Sequence, residues 1–250
     1  VIKRIGIYRF SGVSSDDTGN TKLSRRKLTH PTKLPFVLNL QDACHLLSLT
    51  LKAIGKLPEF DQITQRVKKT IKYMYHSTYT MEHFNYQRTQ LKIAHGLEKP
   101  GKTRFAGVYW ASVSIQRGFR AFSAIVDDDD LEIDINVPCL ANSLQDMNNL
   151  FESNSSEALM FQADLAKLAA VFGPYAKAIQ CLESPHTTCS DVYLYWLAIV
   201  SQISHLLKGN TVTLREETKA ELCSITNTRF NQMINKAPND PYITAFYLHP

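Results

Sequence analysis

The spacing of apolar residues changes character once along the chain, near Asp42. Before that point Ile5 and Ile7 alternate with Arg4, Gly6 and Tyr8, a period of two that predicts a strand. A Ser/Gly/Asp cluster from Ser11 to Gly19 ends it, and Lys22 to Leu28 predicts a short basic helix. Pro31 and Pro35 bracket a loop, and Phe36-Val37-Leu38-Asn39-Leu40 predicts a second, buried strand. After Asp42 the period lengthens. Leu57, Phe60, Ile63, Val67, Ile71 and Tyr75 recur every three or four residues, which predicts an amphipathic helix with Lys68, Lys69 and Lys72 toward solvent.

Residues 80–95 continue as a polar, basic helix. Phe105, Val108, Tyr109, Ser112, Ile115, Phe119, Phe122 and Val126 form another long stripe. The acidic run Asp127 to Asp130, with Glu132 and Asp134, interrupts it and reads as a solvated linker, because like charges in a block repel one another. Helical patterns resume at 140–152, 157–172, 190–208 and 214–236. Asn142 or Ser143 and Ser190-Asp191 are the expected caps, and Gly173-Pro174 the expected stop. The fold expected is mainly α, with two strands and a short helix followed by a long succession of helices.

Composition agrees with a folded chain: 250 residues are 44% hydrophobic, with 10 Gly and 10 Pro. The longest apolar stretch, Val192 to Val200, is too short to span a membrane and then meets Ser201 and Gln202, so no membrane association is expected. Nothing at the N-terminus reads as a signal peptide. The start at Val1 and the end at His249-Pro250 read as points inside a longer protein. Five scattered cysteines without a CxxC pair read as free thiols of a reducing compartment. Cys181, His186 and Cys189 are an alternative metal-ligand set that lacks a fourth member.

Charge divides the chain. Residues 1–125 hold 21 Lys and Arg against 7 Asp and Glu, whereas residues 126–250 hold 7 against 16. A solvated basic face with no partner is one reading. An excess of this size within 125 residues favours a polyanion, and so a nucleic acid, as partner.

Three segments carry candidate chemistry. Ser15-Asp16-Asp17-Thr18-Gly19-Asn20-Thr21 follows the first strand, where α/β folds place metal-binding acids; a plain Asp/Gly turn has the same composition. Leu40-Gln41-Asp42-Ala43-Cys44-His45 runs from the second strand into a helix. His45 there either serves a phosphate or a water or is a satisfied core residue. Lys99-Pro100-Gly101-Lys102-Thr103-Arg104-Phe105 precedes the long aromatic stripe. Arg104 beside Phe105 suits phosphate contact and base stacking, or else simply opens a helix with an apolar anchor.

Taken in order with the closing Ala245-Phe246-Tyr247-Leu248-His249-Pro250, these segments resemble the hAT DNA transposases, especially their fungal branch. The resemblance covers nearly the whole chain. It implies a partial RNase H-like α/β segment over residues 1–43 and a large all-helical insertion domain over 44–250, with the acidic linker near 127–134. It also implies that Asp16 is the second of three metal-binding acids, with Mg²⁺ as the cofactor of a complete enzyme. His45 matches the active-site histidine, and Arg104 and Phe105 match an Arg-Trp pair that contacts DNA. Phe takes the place of Trp there, and His249 stands where Asp is more usual.

The other two acids would fall before Val1 and beyond Pro250. The chain is therefore expected to be a nuclear, DNA-binding, transposase-derived fragment, inactive alone, from a protein that self-associates when complete. Lys68, Lys69, Lys72, Arg88, Lys102, Arg104 and Phe105 form the expected DNA surface. Two other classes remain open: part of an active transposase that cuts and joins DNA ends with Mg²⁺, and a helical protein-interaction scaffold.

Overall fold

A computed structural model describes residues 2–34, 36–101, 106–128, 148–209, 212–237 and 240–249. It is mainly α: 73% of the described residues are helical, and one small parallel sheet of two strands lies near the N-terminus. The helices are α1 (Ile2–Ile5), α2 (Gly19–Leu28), α3 (Ala43–Ile54), α4 (Pro58–His76), α5 (Thr78–Gln90), α6 (Ala106–Val126), α7 (Ser156–Leu182), α8 (Cys189–Lys208), α9 (Glu216–Phe230) and α10 (Pro241–Leu248). A π-helical turn, Asn231–Asn235, extends α9. The chain forms two compact units. One comprises Val1–Ala53, Pro174–Lys208 and Arg215–Pro250, the other Ile54–Gly173 and Gly209–Leu214. These units follow compactness, whereas the boundary expected at residue 43 follows the change of period.

In the first unit β1 (Gly12–Ser15) and β2 (Leu38–Gln41) pair in parallel, with Gly12 opposite Leu38 and Ser15 opposite Gln41. Parallel neighbours need a crossover, and α2 supplies it. The expected first strand at residues 4–8 is instead a helical turn, Ile2–Ile5, and a 3₁₀ turn, Ile7–Arg9. Two alternations are too short to set a period, and Ile5 and Tyr8 are exposed. The second strand begins two residues later than expected, leaving Phe36 exposed.

Asp42 caps α3, its carboxylate accepting from the His45 backbone N–H at 3.0 Å, while its own N–H donates to the Ser15 carbonyl at 3.0 Å. Helix α8 packs along α10, with Tyr193 edge-on to Phe246 at 5.1 Å. Trp196 is fully buried and lies edge-on to Phe230 at 6.2 Å. The Tyr242 hydroxyl donates to the Gln41 carbonyl at 3.3 Å and so ties α10 to β2.

The cap of α8 is Thr188 together with the expected Asp191, without Ser190. Thr188 Oγ1 accepts from the Asp191 N–H at 3.3 Å, and the Asp191 carboxylate accepts from the Thr188 N–H at 2.7 Å, a reciprocal capping box. Hydrogen bonds from the Thr188 backbone and hydroxyl also hold the Asp191 carboxyl below its ordinary value.

In the second unit α4, α5 and α6 pack on one another around aromatic rings. Phe122 stacks on Phe151 at 4.3 Å and tilts against Phe84 at 4.7 Å; Phe151 is edge-on to Phe161 at 5.7 Å. Gly118 makes room for Phe84, since a Cβ at 118 would lie 2.8 Å from the Phe84 Cζ. Of the expected stripe on α4, Phe60, Ile63, Val67 and Ile71 are buried and Tyr75 is 43% exposed. Helix α7 runs through Gly173-Pro174 instead of stopping there. An interior proline costs about 3 kcal/mol. Val171, Phe172, Tyr175 and Ala176 on either side are completely buried, and burying four such side chains outweighs that cost.

Candidate functional site

The β1–β2 register brings the first two sequence motifs together. Ser15 and Gln41 are the last paired residues, so Asp16 and Asp42 leave the sheet at the same, carboxyl end. His45 follows in the first turn of α3. This is the end at which parallel α/β sheets place ligands.

Each carboxylate at that end has a local partner. Asp16 Oδ1 accepts from the Thr18 hydroxyl at 3.4 Å, and its backbone carbonyl accepts from Thr21 Oγ1 at 2.9 Å. The Asp42 carboxylate is the α3 cap. Asp17, given no role in the sequence reading, binds Lys22 at 2.8 Å through Oδ2 and Arg25 at 2.9 Å through Oδ1. Burial alone would raise the Asp17 carboxyl, but hydrogen bonds from Lys22, Arg25 and Gln41 outweigh it and hold the group below its ordinary value.

Arg25 organises this end of the sheet, and sequence reasoning missed it. It is only 5% exposed. Its Nε donates to Asn39 Oδ1 at 2.7 Å, and its Nη1 to the Ser15 carbonyl at 2.7 Å, Ser15 Oγ at 2.6 Å and the Asp16 carbonyl at 2.8 Å. The guanidinium thus fastens both strands and both aspartates to α2. The one sequence signal is spacing: Arg25 lies one helical turn beyond Thr21 and Lys22, which return to the same Asp16-Asp17 segment.

The Mg²⁺ implied for a complete enzyme would find in this chain one of its three family acids, Asp16, and no tight binding is expected here. A divalent ion of phosphoryl-transfer sites needs convergent carboxylates. Among the described residues no group of three His, Cys, Asp or Glu side chains is placed to hold a metal ion. Cys181, His186 and Cys189 do not form one either, and the described cysteines are free thiols.

The second candidate surface lies in the other compact unit. Lys68, Lys69 and Lys72 are exposed on the C-terminal half of α4, on the side opposite Val67, Thr70, Ile71 and Met74. Gln65 and His76 are exposed with them. Tyr75 borders this face, and the Lys99 ammonium sits 4.9 Å above its ring. On helix α5 Tyr79 and Tyr86 are exposed, and the Tyr79 ring is edge-on to His83 at 4.4 Å. The result on α4 is a basic face bordered by the Tyr75 ring.

Arg88 is half-buried and turned to the loop after α5. Its Nε donates to Asn85 Oδ1 at 2.8 Å and its Nη1 to the carbonyls of Ile93 at 3.3 Å and Ala94 at 3.5 Å. That loop is strapped further by Tyr75 Oη to the Leu97 carbonyl at 3.1 Å and Arg117 Nη2 to the Gly96 carbonyl at 3.0 Å. It leads to Gly101, which presses on the start of α6: a Cβ at Gly107 would lie 2.8 Å from the Gly101 nitrogen. Lys102, Arg104 and Phe105 lie outside the described residues, as do Cys139, most of the acidic run and Asn142-Ser143.

Comparison with known protein families, with curated proteins and with solved structures finds no match to this chain. Among the described residues no helix is long and apolar enough to cross a membrane.

Proposed function

We propose that this chain binds nucleic acid through the basic face of α4 and the Tyr75 ring beside it, as part of a transposase-like protein. One observation carries the reading: Lys68, Lys69 and Lys72 share one exposed helical face, with the half-exposed Tyr75 one turn beyond Lys72. Cations at this spacing contact successive phosphates, and exposed rings give unpaired bases a surface to stack on. The order of the Asp16, His45 and Arg104-Phe105 segments supplies the transposase class, through the hAT resemblance. The strong positive balance of residues 1–125 agrees with a polyanionic partner.

The reading extends to binding and stops short of cleavage. Asp16 accepts from a threonine, Asp17 pairs with two cations and Asp42 caps a helix. No phosphoryl-transfer step is assigned to them.

The test is an equilibrium titration of the purified chain with unrelated duplex and single-stranded oligonucleotides. Affinities that differ little between sequences, and that fall when Lys68, Lys69 and Lys72 are all changed to Glu, are expected, because phosphate contacts position without specifying. A chain that binds no oligonucleotide at low salt would leave a helical scaffold as the better reading.

A further inference from the structure

The first compact unit holds a cavity of about 320 Å³ beside the Asp17–Arg25 pair, walled by α2, β2, the π-helical turn after α9, and α10. Its volume is in the range of small-molecule sites. Four cations line it, Lys22, Arg25, Arg26 and Lys236, against a single carboxylate, Asp17.

The hydrogen bonds already made decide what this cavity has left to offer. Both Asp17 oxygens are taken, one by Lys22 and one by Arg25. Those two cations are thereby partly neutralised. Arg26 and Lys236 are exposed and make no side-chain ion pair or hydrogen bond among the described residues. The two amides on the wall are oriented by the same logic. Asn39 Oδ1 accepts from Arg25 Nε at 2.7 Å, and Gln232 Oε1 accepts from Arg229 Nη1 at 2.9 Å. Arginine has no acceptor, so the atom facing it must be the amide oxygen. The NH₂ groups of Asn39 and Gln232 are left as donors without a partner among the described residues. The cavity thus presents donors and an excess of three positive charges, two of them on the unpaired Arg26 and Lys236, with its one carboxylate occupied.

We propose that this cavity is a phosphate site that takes a phosphomonoester dianion. Such a group accepts hydrogen bonds through three oxygens and carries a charge close to −2 at neutral pH, which suits a wall of donors with an excess of positive charge. A monocarboxylate would offset less of that excess and use fewer of the donors. The remaining volume accommodates the sugar or other small group that bears the phosphate. Arg25 serves the site from behind: locked by Ser15, Asp16 and Asn39, it holds a fixed positive charge in the cavity wall at no cost in ordering on binding. The phosphate belongs either to a free small molecule or to the 5′ end of a nucleic-acid strand. The site does not depend on the α4 surface, which lies in the other unit.

The experiment is calorimetric and thermal-shift titration of the whole chain with inorganic phosphate, a nucleoside monophosphate, the corresponding nucleoside, and an oligonucleotide with and without a 5′-phosphate. Sodium chloride at matched ionic strength is the control. Saturable binding of phosphate and of the monophosphate is expected, with none of the nucleoside. Arg26→Ala and Lys236→Ala remove exposed side chains, so both variants should keep the wild-type melting temperature without ligand. Each should weaken binding about tenfold or more, the loss of one charge-assisted contact. An oligonucleotide that gains affinity from its 5′-phosphate, and loses that gain in the Arg26→Ala and Lys236→Ala variants, assigns the site to a strand end; monophosphate binding with no such gain assigns it to a small molecule. Protection by chloride equal to that by phosphate, or unchanged binding in the Arg26→Ala, Lys236→Ala double variant, would overturn the proposal. The Lys68, Lys69 and Lys72 reversals should leave monophosphate binding unaltered, which separates failure here from failure of the nucleic-acid reading.

Discussion

The Arg25 guanidinium meets Asp17 Oδ1 at 2.9 Å, and the cation is the more deeply buried partner, 5% exposed against 20%. Arg25 also donates to two backbone carbonyls and an amide, so most of its worth is in bonds that lysine cannot reproduce. Arg25→Lys keeps the charge but gives up the planar fork, and leaves Asn39 and the Ser15 and Asp16 carbonyls short of donors. A loss of about 2–4 kcal/mol is expected, from two or more buried groups losing their partners. Chemical denaturation of wild type and variant checks it; an unchanged midpoint would mean that the sheet end does not depend on this residue.

Acid stability follows from the same pair. The folded state holds the Asp17 carboxyl below its ordinary value, close to 3.9 in an unfolded chain. Its contribution is therefore fully present above that unfolded value and is lost as pH falls through the lower folded one. Stability measured from pH 6 down to pH 2 should decline on the acid side, and Asp17→Asn should make that decline shallower. The same acid slope in the Asn variant would assign the acid sensitivity to other carboxylates.

Gly118 sits where Phe84 crosses α6, with the ring 2.8 Å from where a Cβ would be. In an open helix Gly→Ala stabilises by about 1 kcal/mol. Here Phe84 is buried and backed by Phe122 at 4.7 Å, so it cannot swing aside. Overpacking costs about 1–3 kcal/mol, which outweighs the helical gain. Gly118→Ala is expected to lower the melting temperature; a rise would show that the aromatic cluster has slack.

Long, strongly periodic helices were legible because a half-buried helix must repeat its apolar positions every three or four residues, and Phe60, Ile63, Val67 and Ile71 do so. Boundaries were less so. Gly173-Pro174 carries a local stop signal that burial of Phe172 and Tyr175 overrides. Thr188 caps α8 together with Asp191, where Ser190-Asp191 was expected, because the bonding pair is the residue before the first turn and the third within it. Ile5 and Ile7 alternate without any sheet to pair with.

In the candidate site, the shared sheet end of Asp16 and His45 followed from two strands each leading into a motif. Arg25 did not, because α2 has no apolar stripe to mark its inward side and a buried arginine looks like any basic residue in sequence. The cavity beside it draws on four elements far apart in the chain, and no local pattern reports such a convergence.

The central claim, that the α4 face binds nucleic acid through its phosphates, is tested most directly by the salt dependence of binding. The logarithm of the association constant should fall linearly with the logarithm of salt concentration, by about 0.9 for each duplex phosphate neutralised. Changing Lys68, Lys69 and Lys72 together to Glu should make that slope shallower by roughly 2–3 units if each lysine meets one phosphate. A slope that is steep in the wild type and unchanged in the triple variant would place the nucleic-acid surface elsewhere and contradict the account.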